Sequence, residues 1–62
     1  MKFVGIRKDE ATQEIVKYEL NLNREDIQCL YKDKYGVYIC TKQGRTYKVD
    51  VELGVLQQEV GF

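Results

Sequence analysis

The chain has no His, Pro, Trp or Ser among its 62 residues, and these absences exclude several classes of function. Without Ser and His it cannot contain a Ser–His or Cys–His catalytic pair, and neither Cys lies in an activating motif. Structural zinc sites use four closely spaced Cys or His ligands, whereas Cys29 and Cys40 are the only candidates and are far apart in the sequence. We therefore expect a protein that is not an enzyme and has no metal or other cofactor.

Residues 1–62 are expected to form one small domain, because a chain of this length buries only about 60% of the surface that its unfolded form exposes. No apolar run approaches the roughly 18 residues that a membrane helix requires. The first residues also lack the apolar segment of a secretory signal. The sequence thus predicts a cytoplasmic protein without a membrane partner.

Period-two alternation of β-branched and aromatic residues predicts strands over most of the chain. In the second of them Val16, Tyr18 and Leu20 share one face. The predicted strands cover residues 2–8, 14–22, 27–32, 37–42 and 45–51. The expected fold is mainly β: a five-stranded antiparallel meander or a small, partly open barrel, with a short C-terminal helix.

Single glycines after the third and fourth strands, Gly36 and Gly44, predict three-residue loops that end in a G1 bulge. In that register Tyr31 lies opposite Ile39, Cys29 opposite Thr41, Ile39 opposite Tyr47, and Val37 opposite Val49. Cys29 then belongs to the core face and Cys40 to the reverse face. We therefore expect two small buried thiols and no intramolecular disulfide.

The pattern changes after Val51, where Leu53, Leu56 and Val60 follow a helical spacing. Asp50 is the predicted N-cap of this short helix. Gly54 weakens the helix by about 1 kcal/mol relative to Ala, so an added strand is the alternative.

The reverse face of the last three strands carries an apolar centre within a charged rim. Leu30, Tyr38 and Cys40 form the centre. Such a face needs a cover, which is either the C-terminal helix or a protein partner. The predicted protein-binding residues are Leu30, Lys32, Tyr35, Tyr38, Cys40, Lys42 and Lys48. The function expected from them is that of a small regulator or inhibitor acting by protein–protein contact.

An uneven charge distribution along the chain indicates which kind of partner surface it would bind. Residues 31–48 carry five basic side chains against Asp33 alone, whereas residues 9–26 carry six acidic side chains against Lys17 and Arg24. We expect a partner with an acidic or apolar surface. A homodimer is also possible, in which the acidic segment of one copy meets the basic hairpin of another.

Nucleic-acid binding is the alternative function, because tyrosines alternate with lysines in the basic segment. Lysines neutralise phosphates and aromatic rings stack on bases at about 1–3 kcal/mol each. A DNA- or RNA-binding module would use residues 31–48. The isoelectric point near 6.2 is lower than such modules usually have.

Residues 26–56 combine an Ile-x-x-Leu-Tyr strand, a Val-Tyr-Ile-Cys-Thr-Lys-Gln-Gly strand and turn, a Tyr-Lys-Val strand and then spaced leucines. This pattern resembles the second half of the LytTR-type DNA-binding domains of response regulators. The resemblance implies the DNA-binding alternative. It assigns no residue here as a DNA contact, because the family's contact motifs have no clear counterpart in this chain.

Overall fold

A computed structural model describes all residues 1–62 and contains five antiparallel strands in one open sheet, followed by one short helix. The mainly β fold with a C-terminal helix is thus confirmed. The elements are β1 (Lys2–Lys8), β2 (Ile15–Asn21), a 3-10 helix (Arg24–Asp26), β3 (Ile27–Asp33), β4 (Gly36–Thr41), β5 (Thr46–Val49) and α1 (Leu53–Val60).

The strands lie in the order β2-β1-β5-β4-β3, so the sheet combines a hairpin with a three-stranded meander. The two units meet where Gly5 of β1 lies opposite Val49 of β5. β2 and β3 form the two edges, and residues 22–26 connect one edge to the other. The fold therefore brings the end of the meander against the first strand and leaves β3 as an edge.

The turn between β3 and β4 has two residues rather than the predicted three. Asp33 lies opposite Gly36, and its Oδ1 accepts hydrogen bonds from the N–H of Tyr35 (2.7 Å) and of Gly36 (3.2 Å). An Asp side chain that bonds the backbone two or three residues ahead is a common turn former. The predicted register of β3 on β4 is therefore wrong by one residue, and Tyr31 lies opposite Tyr38 instead of Ile39.

A β-bulge between Ile27 and Cys29 shifts the register at the start of β3. On the N-terminal side of the bulge, Ile27 lies opposite Thr41 and is buried. On the C-terminal side, Cys29 lies opposite Cys40 and is exposed. A one-residue shift in register moves every side chain of a strand to the other face of the sheet. A bulge adds a second one-residue shift, which returns the side chains on its far side to their first face. The prediction that Cys29 faces the core is therefore wrong.

The loop between β4 and β5 agrees with the prediction. Gly44 has a left-handed φ of +86° and donates its N–H to the carbonyl of Thr41 at 3.0 Å. The N–H of Thr41 donates to the carbonyl of Arg45 at 2.9 Å, which closes a three-residue loop. The predicted pairs of Val37 with Val49 and of Ile39 with Tyr47 are confirmed.

One face of the sheet forms the core together with α1. Alternate residues of β4 are buried, and Ile39 is completely inaccessible. Leu56 and Val60 of α1 are buried against this face, as their spacing predicts. The core consists of Phe3, Leu20, Ile27, Val37, Ile39, Val49, Leu56 and Val60.

The N-terminal end of α1 differs from the prediction. Glu52 and not Asp50 is the N-cap residue, and no side chain caps the helix. Asp50 forms an ion pair with Lys17 instead, at 2.8 Å. At the other end the Arg24 guanidinium donates to the carbonyl of Val60 and lies over the ring of Phe62. The helix is thus held mainly by its apolar side and by its C-terminal contacts.

No helix in the structure has the length and apolar character that a membrane span requires.

Candidate protein-binding face

The outer face of the sheet, opposite α1, carries a group of side chains that α1 leaves uncovered. They come from the three strands β3, β4 and β5, whose pairing places them side by side. We name this surface the tyrosine face, and it consists of Cys29, Tyr31, Tyr38, Cys40, Thr46 and Lys48. The alternative that the C-terminal helix covers Tyr38 and Cys40 is wrong, because the apolar side of α1 is buried in the core on the other side.

Two tyrosines stack on each other at the centre of this face. The ring centroids of Tyr31 and Tyr38 are 4.9 Å apart and the ring planes differ by 18°. Tyr31 is 40% exposed, and Tyr38 is half-buried. Such aromatic pairs contribute about 0.5–1.5 kcal/mol beyond the area that they bury. The stack therefore presents a preformed aromatic surface to solvent.

The environment of both phenols favours their neutral form. Partial removal from water is the main cause that raises the pKa of Tyr31, and nearby Cys40 and Asp33 add to it. The same desolvation raises the pKa of Tyr38, with further contributions from Asp33 and from a hydrogen bond to that carboxylate. Both phenols are therefore hydrogen-bond donors at neutral pH.

The two thiols adjoin the tyrosine stack and lie directly opposite each other across β3 and β4. Both are free; Cys29 is exposed and Cys40 is half-buried. A hydrogen bond with Cys40 is the main cause that raises the pKa of the Cys29 thiol. Cys40 Sγ also lies 3.9 Å from Thr46 Oγ1. We predicted no disulfide because Cys29 and Cys40 were expected on opposite faces of the sheet, and that placement is wrong.

Lysines border the tyrosine face on two sides. Lys48 lies directly opposite Tyr38, and its side chain lies so close to Gly36 that a Cβ there would meet Lys48 Cε at 2.7 Å. Lys42 is exposed in the loop after β4. In the β3–β4 turn the ammonium of Lys34 lies 5.1 Å from the ring centroid of Tyr35. Basic side chains therefore lie at the β5 side of the face and in the β4–β5 loop, whereas the β3–β4 turn holds Lys34 together with the carboxylate of Asp33.

The structure divides the predicted binding residues between two faces. Tyr38, Cys40 and Lys48 lie together on the outer face as expected. Leu30 does not join them, because it lies opposite Ile39 and packs against the core. Lys32 lies opposite buried Val37 and so belongs to the same side as Leu30. The prediction that these two residues share a face with Tyr38 is wrong, and the one-residue shift of β3 is the reason.

A groove at the turn end of the sheet brings other predicted residues together. It has a volume of about 600 Å³, and Lys32, Tyr35 and Lys48 contribute to its lining. Tyr35 is 66% exposed in the turn. The groove adjoins the tyrosine face through Lys48, and the acidic side chains of Asp50 and Glu52 also contribute to its lining.

Sequence reasoning missed Cys29 and Tyr31 as members of this surface. The signal that could have identified them is Asp33 followed three positions later by Gly36, since Asp and Gly are favoured at the first and last positions of a type I turn. A two-residue turn centred on Lys34 and Tyr35 would have placed Tyr31 beside Tyr38.

Comparisons with protein-family models, with curated proteins and with solved structures find no match to this chain. The resemblance to LytTR-type domains therefore remains a prediction. Support for a function comes from the chemistry of the tyrosine face.

Proposed function

We propose that this chain is a non-enzymatic binding module, a regulator or inhibitor that uses its tyrosine face to cover part of a protein partner. The observation that carries the proposal is the stacked Tyr31–Tyr38 pair, which lies exposed on a sheet face that α1 leaves bare. A sheet with one core face is expected to be polar on the other, so an aromatic centre there needs a reason. Binding a partner is such a reason.

The residue types of this face suit a protein contact. Tyrosine is enriched at the energetic centres of interfaces, because it buries a large area and still offers a hydroxyl. A preformed stack also loses little side-chain entropy when a partner covers it. Thr46 and the two thiols fill the space beside the rings with small side chains, which lets a partner's backbone or side chain come close.

The border of the face indicates an acidic partner surface. Lys48 and Lys42 flank the tyrosines, and Asp33 is the one acidic side chain within residues 31–48. Complementary charges at the rim raise the association rate and orient the partner, whereas the buried centre provides most of the affinity. The partner should thus place acidic residues around an apolar or aromatic contact.

A nucleic-acid partner is the second candidate, because exposed tyrosines beside lysines on an open sheet also suit single-stranded DNA or RNA. Each of the two rings already uses one face to stack on the other, which reduces the area available to bases. A protein partner is therefore the favoured proposal.

The experiment captures partners on the immobilised chain from a lysate of the organism that encodes it, with and without nuclease. Tyr31→Ala and Tyr38→Ala should each reduce capture of the partner about tenfold or more, since they remove the centre of the contact. Val55→Ala is the matched control, because Val55 is 44% exposed but lies on α1, away from the tyrosine face. Circular dichroism should show that all three variants stay folded.

Three results would contradict the proposal. Capture that survives both tyrosine substitutions would remove the face from the contact. Capture that nuclease abolishes, together with oligonucleotide binding that weakens steeply with salt, would establish the nucleic-acid function instead. Concentration-dependent dimers that Tyr38→Ala dissociates would identify a second copy as the occupant.

The proposed site of action is the cytoplasm. Glutathione and thioredoxin systems return surface thiols such as Cys29 and Cys40 to the reduced form there. The proposal includes no cofactor.

A further inference from the structure

Cys29 and Cys40 occupy directly opposite positions on neighbouring antiparallel strands. Opposed residues in such a pair have Cα atoms about 4.5–5.5 Å apart. Disulfides form between Cα atoms about 4.4–6.8 Å apart. The two cysteines can therefore be joined with little movement of the backbone.

The surroundings of the two thiols differ in a way that assigns them separate roles. Cys29 is exposed on edge strand β3, so a small molecule in solution reaches it. Cys40 is half-buried on the inner strand β4 and contacts Thr46 on its other side. Cys29 is thus suited to react first with an external reagent and Cys40 to attack Cys29 afterwards.

We propose that Cys29 and Cys40 form a reversible dithiol–disulfide site whose reaction partner is a low-molecular-weight disulfide such as oxidised glutathione. This inference does not depend on the proposed function. It follows from the register of β3 on β4 and from the exposure of the two thiols.

The reaction has two exchange steps. The Cys29 thiolate attacks one sulfur of oxidised glutathione, a mixed disulfide forms, and one glutathione leaves as a thiolate. The Cys40 thiolate then attacks the Cys29 sulfur, the Cys29–Cys40 bond forms, and the second glutathione leaves. The protein loses two protons and two electrons, and the glutathione disulfide gains them as two thiols.

The new bond would change the tyrosine face and the edge of the sheet together. It would join edge strand β3 to β4 covalently and close the loop of residues 29–40. It would also replace two thiol donors beside the Tyr31–Tyr38 stack with a disulfide.

The experiment incubates the folded chain with oxidised glutathione, stops the reaction with acid and measures masses without reduction. The wild-type chain should end with the loss of two hydrogen atoms and without bound glutathione, and dithiothreitol should restore the original mass. Cys29→Ser and Cys40→Ser are the matched variants. Each should end as a stable glutathione adduct on its remaining cysteine, because the thiol that would resolve the adduct is absent.

A parallel reaction in denaturing urea tests whether the fold brings the thiols together. The equilibrium ratio of the internal disulfide to the dithiol, at the same glutathione composition, should be about tenfold or more higher in the folded chain. An equal ratio in urea would overturn the inference. So would a wild-type chain that accumulates glutathione adducts or disulfide-linked dimers, since either result would show that the two thiols do not form a bond with each other in the folded chain.

Discussion

At the scale of single residues, the carboxylate of Asp33 is the acceptor that holds the β3–β4 turn. Its Oδ1 accepts the N–H groups of Tyr35 and Gly36 within the two-residue turn. This turn aligns Tyr31 with Tyr38 and Cys29 with Cys40. One side chain therefore decides which residues form the tyrosine face.

A substitution of Asp33 tests this role. Asp33→Ala should lower the free energy of unfolding by about 1 kcal/mol, because it removes an acceptor of two backbone hydrogen bonds. Asp33→Asn should lower it much less, since an amide oxygen forms the same turn. Urea unfolding measures both variants, and cross-strand nuclear Overhauser contacts between residues 31 and 38 report the register. Equal stability of the two variants would show that the side chain does not hold the turn.

At the scale of elements, α1 has one glycine that weakens it and one that it needs. Gly54 lies within the helix, and a Cβ added there would meet nothing within 4 Å. Gly61 follows the helix in a left-handed conformation with φ +83°, and its N–H donates to the carbonyl of Gln57. A Cβ at Gly61 would also lie 3.3 Å from the Arg24 guanidinium. The two glycines should therefore respond to alanine in opposite directions.

We expect Gly54→Ala to raise the free energy of unfolding by about 0.5–1 kcal/mol, because alanine loses less backbone entropy in a helix. Gly61→Ala should lower it by about 1–2 kcal/mol, because an L-residue is strained in the left-handed region. Urea midpoints of the two variants and the wild type give the comparison. A stabilising Gly61→Ala would show that the C-terminal cap is not formed in solution.

The elements also show how far the sequence predicts this fold. The strands and α1 follow from alternation and from the spacing of Leu53, Leu56 and Val60, because burial of one face imposes those periods. The register of β3 does not follow from alternation alone. Leu30 and Tyr31 are both large and partly apolar, so either could face the core, and the choice depends on the turn at Asp33 and on a bulge that no local pattern marks. The predicted binding residues on β4 and β5 are therefore placed as expected, whereas those on β3 are not.

At the scale of the whole molecule, the uneven charge follows the two units of the sheet. The acidic segment 9–26 runs through β2 and the connection to β3, and the basic segment 31–48 runs through the meander. The units are joined at β1 and β5, and the Lys17–Asp50 ion pair at 2.8 Å links β2 to the residue that follows β5. Because both side chains of this pair are largely exposed, it should add little to stability at moderate salt.

The stability of the whole molecule should fall at alkaline pH, and the raised pKa values determine the direction. Tyr31 and Tyr38 have pKa values above the ordinary value of 10.0, mainly through desolvation, and Asp50 raises the pKa of Lys17 above 10.5. The folded chain therefore holds these protons more tightly than the unfolded chain does. The Cys29 thiol, whose pKa is also raised above its ordinary value of 9.0, adds to this effect. Stability should therefore be complete below about pH 9 and should decrease as the pH rises through the folded-state pKa values.

A double variant separates the tyrosines from other alkaline effects. Tyr31→Phe combined with Tyr38→Phe keeps the stacked rings but has no phenol proton to lose. Its urea midpoint, measured in reducing buffer, should fall less between about pH 9 and about pH 11 than that of the wild type. The absorbance of tyrosinate should show, in parallel, that the variant lacks the late part of the wild-type titration. Equal losses of stability in the two chains would mean that folding does not raise the pKa of either phenol.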